Sequence, residues 1–433
     1  MKITNVECLV LDEEYPYVIL QTDEGITGFG ECFRRAPYVS KTTIETIFAS
    51  LIIGKSPFNS EEIWDSMLRA GGVAGPHGAL LTAAAGVDLA LWDLKGKALN
   101  TPIYNLIGGK SRDKIKVYAS SLVRDLMPKE EANRVARFRD EGYTAYKMHS
   151  AVPGRIDDQR DLTVETVKAI RAEVGYDMDV LVDVNSAYSV HHAIEIGRQL
   201  QDLEVFHFEE PVHTRNYEGL ATVADALDMP VASGENSFTR WEHLRLIREG
   251  RPDIVQPDVV KVGGITEFLR IEAVLSAHGA TMTIHNTQPY GSTAAHAHLL
   301  APSNNFPYAQ EYNIETVGIR DNDSILDTPY EVEDGFIRIP DGPGLGLDYN
   351  LEKMRSRSSD TPSVLRSAWG PMQYIGKVPY FCSSMEKPVI NSGHLNSDRA
   401  IASKPTTAYP VIVTGTPYCS ISQPPITIPM GRA

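Results

Sequence analysis

From residue 183 onward, ionisable residues recur at a nearly constant interval, each at the end of a short apolar stretch. The recurring residues are Asp183, Glu209, Glu235, Asp258, His285 and Glu311. Successive members are 26, 26, 23, 27 and 26 residues apart. This interval fits one strand, one helix and their connections, so the pattern predicts a repeated strand–helix unit. Each repeat would deliver one polar group to the same end of its strand.

The alternation of strand and helix patterns begins earlier, at residue 116. Strand-like stretches such as KVYAS, YTAYKMH and VLVDVN alternate with amphipathic helical stretches, and eight such strands are predicted over 116–330. Alternation of this kind is typical of parallel βαβ units, and eight of them predict a barrel of the TIM type. The C-terminal strand ends form the active-site face of that fold, so the recurring residues are expected to surround one site.

The segments outside this repeat have a different character. Residues 1–115 begin with strand-like sequence and continue with helical patterns, which predicts an α+β module. Residues 331–355 read as a hairpin and a Gly/Pro loop, and we expect them to return to that module. Residues 356–433 are rich in Ser, Thr and Pro and show no sustained period, which is typical of a disordered tail.

Charge and hydropathy exclude several classes of partner. The net charge of −15 disfavours binding to nucleic acid or to an anionic membrane surface. No apolar run is long enough to span a bilayer, and the N-terminal stretch MKITNVECLVLDEE has no secretory-signal pattern. The 4 cysteines show no metal-ligand spacing. We therefore expect a cytoplasmic protein that acts on a small molecule.

Three of the recurring residues are carboxylates on consecutive strands: Asp183, Glu209 and Glu235. Carboxylates gathered this closely repel one another unless a cation neutralises them, and an all-oxygen ligand set suits Mg²⁺. The alternative is three separate strand-end acids that are solvated or paired with Lys and Arg. Their common register favours the metal site. The neighbouring Glu210 is expected to face the other way.

Two pairs of residues are candidates for proton transfer. Asp258 and His285 end adjacent strands, and a carboxylate beside an imidazole fixes the tautomer of the ring and raises its basicity. Lys147 and His149 are two residues apart on the second strand, so both face the same side of it. One of this second pair would take a proton from the substrate while the other tunes it or binds a carboxylate. The alternatives are a core histidine for His285 and a plain ion pair for Lys147.

The last recurring residue, Glu311, is compatible with two roles. It could donate a hydrogen bond to a substrate oxygen if its pKa is raised, or it could pair with Lys147 or Lys261. Lys261 itself is interpreted as a structural ion-pair residue. His296 and His298 follow the seventh strand and stay outside the predicted catalytic set.

As a set, the motifs VDVN, FEEP, SGEN, QPDVVKVGGIT and IHN resemble the enolase superfamily, in its mandelate racemase-like subgroup. The similarity extends from the N-terminal module to about Asn350. It implies a capping domain over a modified TIM barrel of the (β/α)7β type, with Mg²⁺ bound by the three carboxylates. It also implies a homo-oligomer.

The resemblance further implies a reaction. Members abstract the proton α to a carboxylate through an enediolate, a chemistry for which this superfamily uses Lys or His bases with Mg²⁺. Lys147 and Glu311 would assist as preorganised groups. We predict dehydration of a sugar acid to a 2-keto-3-deoxy acid. The alternatives are cycloisomerisation of a sugar-acid lactone or anhydro-sugar acid, racemisation, and a catalytically silent Mg²⁺-binding homologue.

Two features depart from the subgroup. Its second strand usually carries a Lys-x-Lys motif, and His149 replaces the second lysine here. The connection DEEYP is short where many members have a longer mobile lid, which predicts a more open pocket.

Overall fold

The computed structural model describes most of the chain, in seven stretches. These are residues 1–71, 75, 77–124, 126–151, 155–315, 324–328 and 332–362. Of the predicted tail, only 356–362 fall within them, and the rest lies outside the described residues. The loop that follows the second barrel strand, residues 150–162, is likewise described only in part.

A three-stranded antiparallel sheet opens the capping domain. Its strands are β1 (Ile3–Leu11), β2 (Tyr15–Thr22) and β3 (Thr27–Glu31), paired in sequence order. The turn between β2 and β3 places Gly25 at φ 77°, which glycine adopts without strain. Gly30 lets β3 approach the helix behind it, since a Cβ there would lie 1.9 Å from the carbonyl oxygen of Gly86.

Five helices complete the cap. They are α1 (Pro37–Thr43), α2 (Ala49–Ile52), α3 (Ser60–Gly71), α4 (Ala79–Ala98) and α5 (Ile103–Ile107), with a π-helical turn at Ile44–Phe48. α4 is the central one, because its small and aliphatic residues are buried along nearly its whole length. Residues from the sheet, α3 and α4 form one hydrophobic core, which includes Val18, Ile63 and Leu91.

From Lys114 onward, parallel strands and helices alternate. The strands are β4 (Lys114–Ser120), β5 (Ala145–His149), β6 (Asp179–Asp183), β7 (His207–Glu209), β8 (Val231–Ser233), β9 (Ile254–Val255), β10 (Thr281–Met282) and β11 (Gln310–Asn313). The helices are α6 (Pro128–Asp140), α7 (Thr163–Val174), α8 (Val190–Asp202), α9 (Tyr217–Ala226), α10 (Arg240–Arg245), α11 (Ile265–Ala277) and α12 (Gly291–Leu300). A π-helical segment, Leu246–Gly250, follows α10.

The predicted (β/α)7β architecture is confirmed. Strands β4 to β10 pair in sequence order, and β11 pairs in parallel with β4. Side chains bridge the seam between β10 and β11, where the backbone N–H of Ile284 donates to Gln310 Oε1 at 2.9 Å and that of Asn286 donates to Glu311 Oε2 at 2.7 Å. The eight strands and seven helices seen among the described residues therefore form a modified TIM barrel.

Alternation along the strands separates the two faces of the sheet. On β5, Tyr146 and Met148 lie in the large core between the sheet and the helices. Ala145 belongs instead to a small cluster with Tyr118. Lys147 shares the face of Ala145, so it points to the barrel axis as its position in the sequence predicts.

After the barrel, the chain forms the predicted hairpin. Strands β12 (Val332–Glu333) and β13 (Phe336–Arg338) pair with each other, and β13 pairs antiparallel with β4. The hairpin therefore extends the barrel sheet, whereas we expected the whole segment 331–355 to return to the cap. The reason is that β4 begins at Lys114, which leaves its first residues free to accept an antiparallel neighbour.

The residues that follow the hairpin contact the cap. The backbone N–H of Leu345 donates to Asp93 Oδ1 at 2.9 Å, and the ring of Tyr349 stacks on Phe29 at 4.7 Å. Helix α13 (Leu351–Ser356) follows, and the N–H of Ser359 donates to the carbonyl oxygen of Val10 at 3.0 Å. The order of the chain thus continues past residue 356, where the sequence predicted the tail to begin.

Two carboxylates of the cap hold barrel helices by their N-termini. Asp88, on α4, accepts from the backbone N–H of Thr266 at 2.9 Å and from its hydroxyl at 2.6 Å, at the start of α11. Glu31, at the end of β3, accepts from the N–H of Ser292 at 2.8 Å, at the start of α12. Negative charge at a helix N-terminus is favourable, so both contacts stabilise the joint between the domains. They act on the helices that follow β9 and β10.

Candidate active site

Three strand-end carboxylates meet inside the mouth of the barrel. Asp183 ends β6, Glu209 ends β7, and Glu235 follows β8 by two residues. Each offers one oxygen, and these three oxygens lie within 4.8 Å of one another. All three side chains are buried. Glu210 stays outside this group, and its Oε1 accepts a hydrogen bond from Asn236 Nδ2 at 2.9 Å.

Lys147 lies beneath this group and neutralises part of its charge. Its Nζ is 3.0 Å from Glu209 Oε1, 2.7 Å from Glu311 Oε1 and 3.9 Å from Asp183 Oδ2. Burial acts to lower the pKa of Lys147, but the charges of Glu209 and Glu311 outweigh it and raise that pKa well above its usual value. The lysine is therefore a fixed cation.

Glu311 is held as an acceptor. Besides Lys147, its carboxylate accepts from the hydroxyl of Ser120 at 2.6 Å and from the backbone N–H of Asn286 at 2.7 Å. Burial acts to raise the pKa of Glu311, yet the charges of Lys147 and His285 lower it overall. This geometry favours the ion-pair alternative over hydrogen-bond donation by a protonated Glu311.

His149 stands at one end of the carboxylate group. Its Nε2 is 2.8 Å from Asp183 Oδ2, and its Nδ1 contacts the carbonyl oxygen of Ser121. Arg134 fixes Ser121 in turn, because its Nη1 donates to the hydroxyl of that serine at 2.9 Å. Burial acts to raise the pKa of Asp183, but the charges of His149 and Lys147 lower it overall.

His285 stands at the other end, with a carboxylate behind it. Its Nδ1 is 2.6 Å from Asp258 Oδ2, and its Nε2 is 3.0 Å from Glu235 Oε2. Burial acts to lower the pKa of His285, but the charges of Glu235 and Glu311 and the hydrogen bond to Asp258 raise it well above its usual value. The Asp258–His285 pair has the geometry of an acid–base dyad.

Two asparagines at the site had no assigned role in the sequence interpretation. Asn185 Nδ2 donates to Asp183 Oδ2 at 2.9 Å, and Asn236 Nδ2 donates to Glu235 Oε1 at 3.0 Å. Each asparagine lies one or two residues after its carboxylate, in VDVN and SGEN, and this repetition is the signal that could have identified them. Lys261 Nζ lies 3.4 Å from Glu235 Oε1, so its ion-pair partner is one of the three clustered carboxylates.

The two histidines of α12 are structural. His296 Nε2 accepts from the backbone N–H of Val259 at 3.1 Å, and His298 Nε2 donates to the carbonyl oxygen of Leu345 at 3.1 Å. Burial lowers the pKa of each imidazole to about 4, so both rings are neutral near pH 7. They brace the helix behind His285.

The donor set at the mouth fits a hard divalent cation. Asp183, Glu209 and Glu235 supply only oxygen atoms, from three rigid strand ends, and their pKa values are lowered despite burial. Buried carboxylates of this kind need positive charge close by. Oxygen donors are what Mg²⁺ prefers among the common metals.

Comparison with known protein families gives a consistent picture. Residues 9–108 match the mandelate racemase/muconate lactonizing enzyme N-terminal domain, and residues 130–354 match the enolase C-terminal domain-like family. The chain belongs to the mandelate racemase/muconate lactonizing enzyme family of the enolase superfamily. The predicted resemblance is thereby confirmed, and the two matches correspond to the cap and to most of the barrel.

Two relatives of this chain are named as sugar-acid dehydratases. An arabinonate dehydratase of Saccharolobus solfataricus is 33% identical over 334 residues, which cover 76% of this chain and 86% of the relative. A D-galactonate dehydratase of Cronobacter sakazakii is 32% identical over 384 residues, which cover 85% of this chain and 97% of the relative.

Solved structures of the family show the same fold. A mandelate racemase/muconate lactonizing protein of Paracoccus denitrificans, crystallised with magnesium, is 31% identical at a TM-score of 0.78 and covers 83% of this chain and 98% of its own. The 3,6-anhydro-D-galactonate cycloisomerase of Zobellia galactanivorans is 26% identical at a TM-score of 0.75, and the match covers 83% of this chain and 100% of the cycloisomerase.

Across the described residues, none of the helices has the length and apolarity needed to cross a membrane.

Proposed function

We propose that this family member is a Mg²⁺-dependent hydro-lyase that dehydrates a sugar acid, an aldonate or aldarate, to a 2-keto-3-deoxy acid. One observation carries the proposal: two histidines contact the cluster of three carboxylates at different members. His149 Nε2 lies 2.8 Å from Asp183, and His285 Nε2 lies 3.0 Å from Glu235. Dehydration needs a base for the α-proton and an acid for the leaving β-hydroxyl, so two imidazoles at one site suit it. The sugar-acid dehydratases among the relatives support the same reaction class.

In this mechanism Asp183, Glu209 and Glu235 hold Mg²⁺. The bound ion supplies Lewis-acid stabilisation for the negative charge that develops on the substrate carboxylate. Lys147 would add a positive charge at the same buried site, where electrostatic stabilisation is strongest. Glu311 holds Lys147 in place through its 2.7 Å contact.

Proton transfer is assigned to the two histidines. One of them takes the α-proton, and the Asp258–His285 dyad delivers a proton to the departing hydroxyl. Asp258 holds the ring of His285 by the 2.6 Å contact and compensates the charge of the protonated imidazole. The hydrogen bond to Asp258 acts to raise the pKa of His285, which suits a group that delivers a proton.

The second candidate function is cycloisomerisation of a sugar-acid lactone or anhydro-sugar acid. The structural similarity to the 3,6-anhydro-D-galactonate cycloisomerase favours it over the remaining alternatives. The same α-proton is removed in that reaction, and a ring oxygen leaves in place of the hydroxyl. Racemisation ranks third and a silent Mg²⁺-binding homologue fourth. Homo-oligomerisation remains a prediction from the family resemblance.

Proton NMR in D₂O distinguishes these reactions. The protein is incubated with Mg²⁺ and pooled sugar acids and their lactones. A 2-keto-3-deoxy product establishes dehydration and identifies the substrate. Conversion of a lactone or anhydro-sugar to a ring-opened product would favour the cycloisomerase, and α-deuteration with all hydroxyls retained would favour a racemase. Protein that binds Mg²⁺ yet exchanges no α-proton in any pool would refute the enzyme assignment for these substrates.

A further inference from the structure

A second layer of side chains faces the barrel axis directly beneath the candidate active site. It consists of inward-facing side chains that lie two positions before site residues on six of the strands. On three of these strands, Tyr118, Ala145 and Leu181 form a small, mainly apolar cluster, in which the buried hydroxyl of Tyr118 has no hydrogen-bond partner among the described residues. On three others it is polar, with His207 on β7, Gln256 after β9 and Thr283 after β10. The layer thus has a mainly apolar side and a polar side, and the polar side is called the polar half-layer.

The neighbours of these polar residues establish that they point inward. Val255, Met282 and Ile284 belong to the core between the sheet and the helices, so Gln256 and Thr283 face the axis. Phe208 belongs to the same outer core, which likewise turns His207 inward. Met282 pairs with Val255, and the N–H of Thr283 donates to the carbonyl oxygen of Val255 at 3.1 Å. Gln256 and Thr283 are therefore side by side on adjacent strands.

These three side chains carry buried polar atoms that the protein does not satisfy. His207, Gln256 and Thr283 are 0% exposed. Within the described part of the chain, His207 Nδ1, both polar side-chain atoms of Gln256 and Thr283 Oγ1 have no hydrogen-bond partner. Each atom left unpaired costs about 1–3 kcal/mol, and buried polar groups are nearly always paired with protein or with ordered water.

We propose that internal water fills this polar half-layer and is bound by His207, Gln256 and Thr283. The amide of Gln256 both donates and accepts, and so does the hydroxyl of Thr283. His207 Nε2 is 3.3 Å from Glu209 Oε2 and donates to it, which leaves Nδ1 as an acceptor for water. A buried water makes about three hydrogen bonds, so about two waters satisfy all four atoms.

The water cluster acts on the metal site through His207. Water on Nδ1 fixes the ring, and the ring in turn holds Glu209 where Lys147 also binds it. The residues of the half-layer are therefore positioning residues for a metal ligand. Partners of this kind typically change metal affinity about 10–100-fold when they are removed. The inference rests on the proposed role of Glu209 as a Mg²⁺ ligand.

The test is a near-isosteric double variant of the full chain, Gln256→Met with Thr283→Val, in which both changes remove hydrogen-bonding groups at little change in volume. Isothermal titration with Mg²⁺ alone is expected to show a Kd about tenfold weaker than that of the wild type. His207→Phe is expected to weaken Mg²⁺ binding by a similar factor. Leu181→Met, in the apolar half of the same layer, is the matched control and should leave the Kd within about twofold.

A high-resolution crystal structure of the wild type provides an independent readout. Ordered water within hydrogen-bond distance of Gln256 and Thr283 supports the proposal, whereas side chains that pair directly with each other overturn it. A double variant that is more stable than the wild type, with an unchanged Mg²⁺ Kd, also overturns it. If the wild type does not bind Mg²⁺ at all, the proposed function is refuted. The crystal structure still tests for the internal water in that case, so the two failures can be told apart.

Discussion

The two sides of the barrel mouth hold their histidines differently. His285 has a carboxylate at its Nδ1, because Asp258 Oδ2 lies 2.6 Å away. His149 has only the carbonyl oxygen of Ser121 at the same ring position. Both rings direct Nε2 at a carboxylate of the proposed metal site, at 3.0 and 2.8 Å. The chemistry therefore differs in what supports each ring from behind.

The supporting structure differs as well. The helices that follow the strands of Asp258 and His285 are held at their N-termini by Asp88 and Glu31 of the cap. The support of His149 is internal to the barrel, where Arg134 binds both Ser121 and Glu315. A charged dyad clamped by a second domain is preorganised for proton delivery. The imidazole of His149 is backed by a neutral carbonyl oxygen and therefore lacks a charged partner at its Nδ1.

Replacing His285 tests the clamped side and is expected to have the largest effect. His285→Asn removes the group that we propose protonates the leaving hydroxyl, so kcat/KM for dehydration should fall by about 10³-fold or more. Mg²⁺ affinity and the free energy of unfolding should be nearly unchanged, because the three carboxylates remain. Steady-state kinetics and calorimetry measure these quantities. Wild-type turnover in this variant would refute the dyad assignment.

Replacing His149 sharpens the comparison by separating the two proton transfers. If His149 is the base, His149→Asn should lose both α-proton exchange and dehydration, by about 10²-fold or more, whereas His285→Asn should still exchange the α-proton. Deuterium incorporation from D₂O, followed by NMR, measures the exchange. The reverse pattern, with exchange lost only in His285→Asn, would assign the base to the clamped side.

Removing a cap clamp tests whether the second domain matters to the dyad. Asp88→Ala leaves the first N–H groups of α11 without their acceptor, so unfolding should become easier by about 2 kcal/mol. A fewfold loss of kcat is expected as well, because α11 follows the strand of Asp258. Asn216→Ala is the matched control, since it removes the N-cap of α9, where Asn216 Oδ1 accepts from the N–H of Gly219 at 3.0 Å. If kcat falls as much in the control as in Asp88→Ala, the contact between Asp88 and α11 has no particular role in positioning the dyad.

Acid pH should weaken the clamped side through His298, with the smallest effect on function. Burial lowers the folded-state pKa of His298 to about 4 from the usual 6.5, so the unfolded chain binds the proton more readily. Stability from this residue is present above pH 6.5 and is lost as pH falls towards 4, by at most about 3 kcal/mol. His298→Gln should flatten the fall in the free energy of unfolding over that window. His278→Gln, at the exposed end of α11, is the surface control, and an equal change there would contradict the assignment to His298.

The fold and the proton-transfer groups were predictable to different degrees. The near-constant interval from Asp183 to Glu311 was sufficient to predict the barrel. Side chains alternate along each strand and the helices have similar lengths, so the residues at the strand ends all face the same site. The role of Glu311 was left open, because it depends on the charge of Lys147 beside it. The clamps were not predicted, since Asp88 and Thr266 are 178 residues apart.

The sequence by itself determined which residues lie at the mouth of the barrel. The local repeat fixes where each strand ends, and the alternation of side chains fixes which face of the sheet each residue occupies. Only the tertiary structure decided which partner each of them has. It paired Lys147 with Glu311, and it placed Asn185 against Asp183. It also gathered the buried polar atoms of Gln256 and Thr283 in one half-layer. These contacts depend on how strands from distant parts of the chain come into register, and hydrogen bonds and ion pairs act over a few ångströms that no periodicity in the sequence encodes.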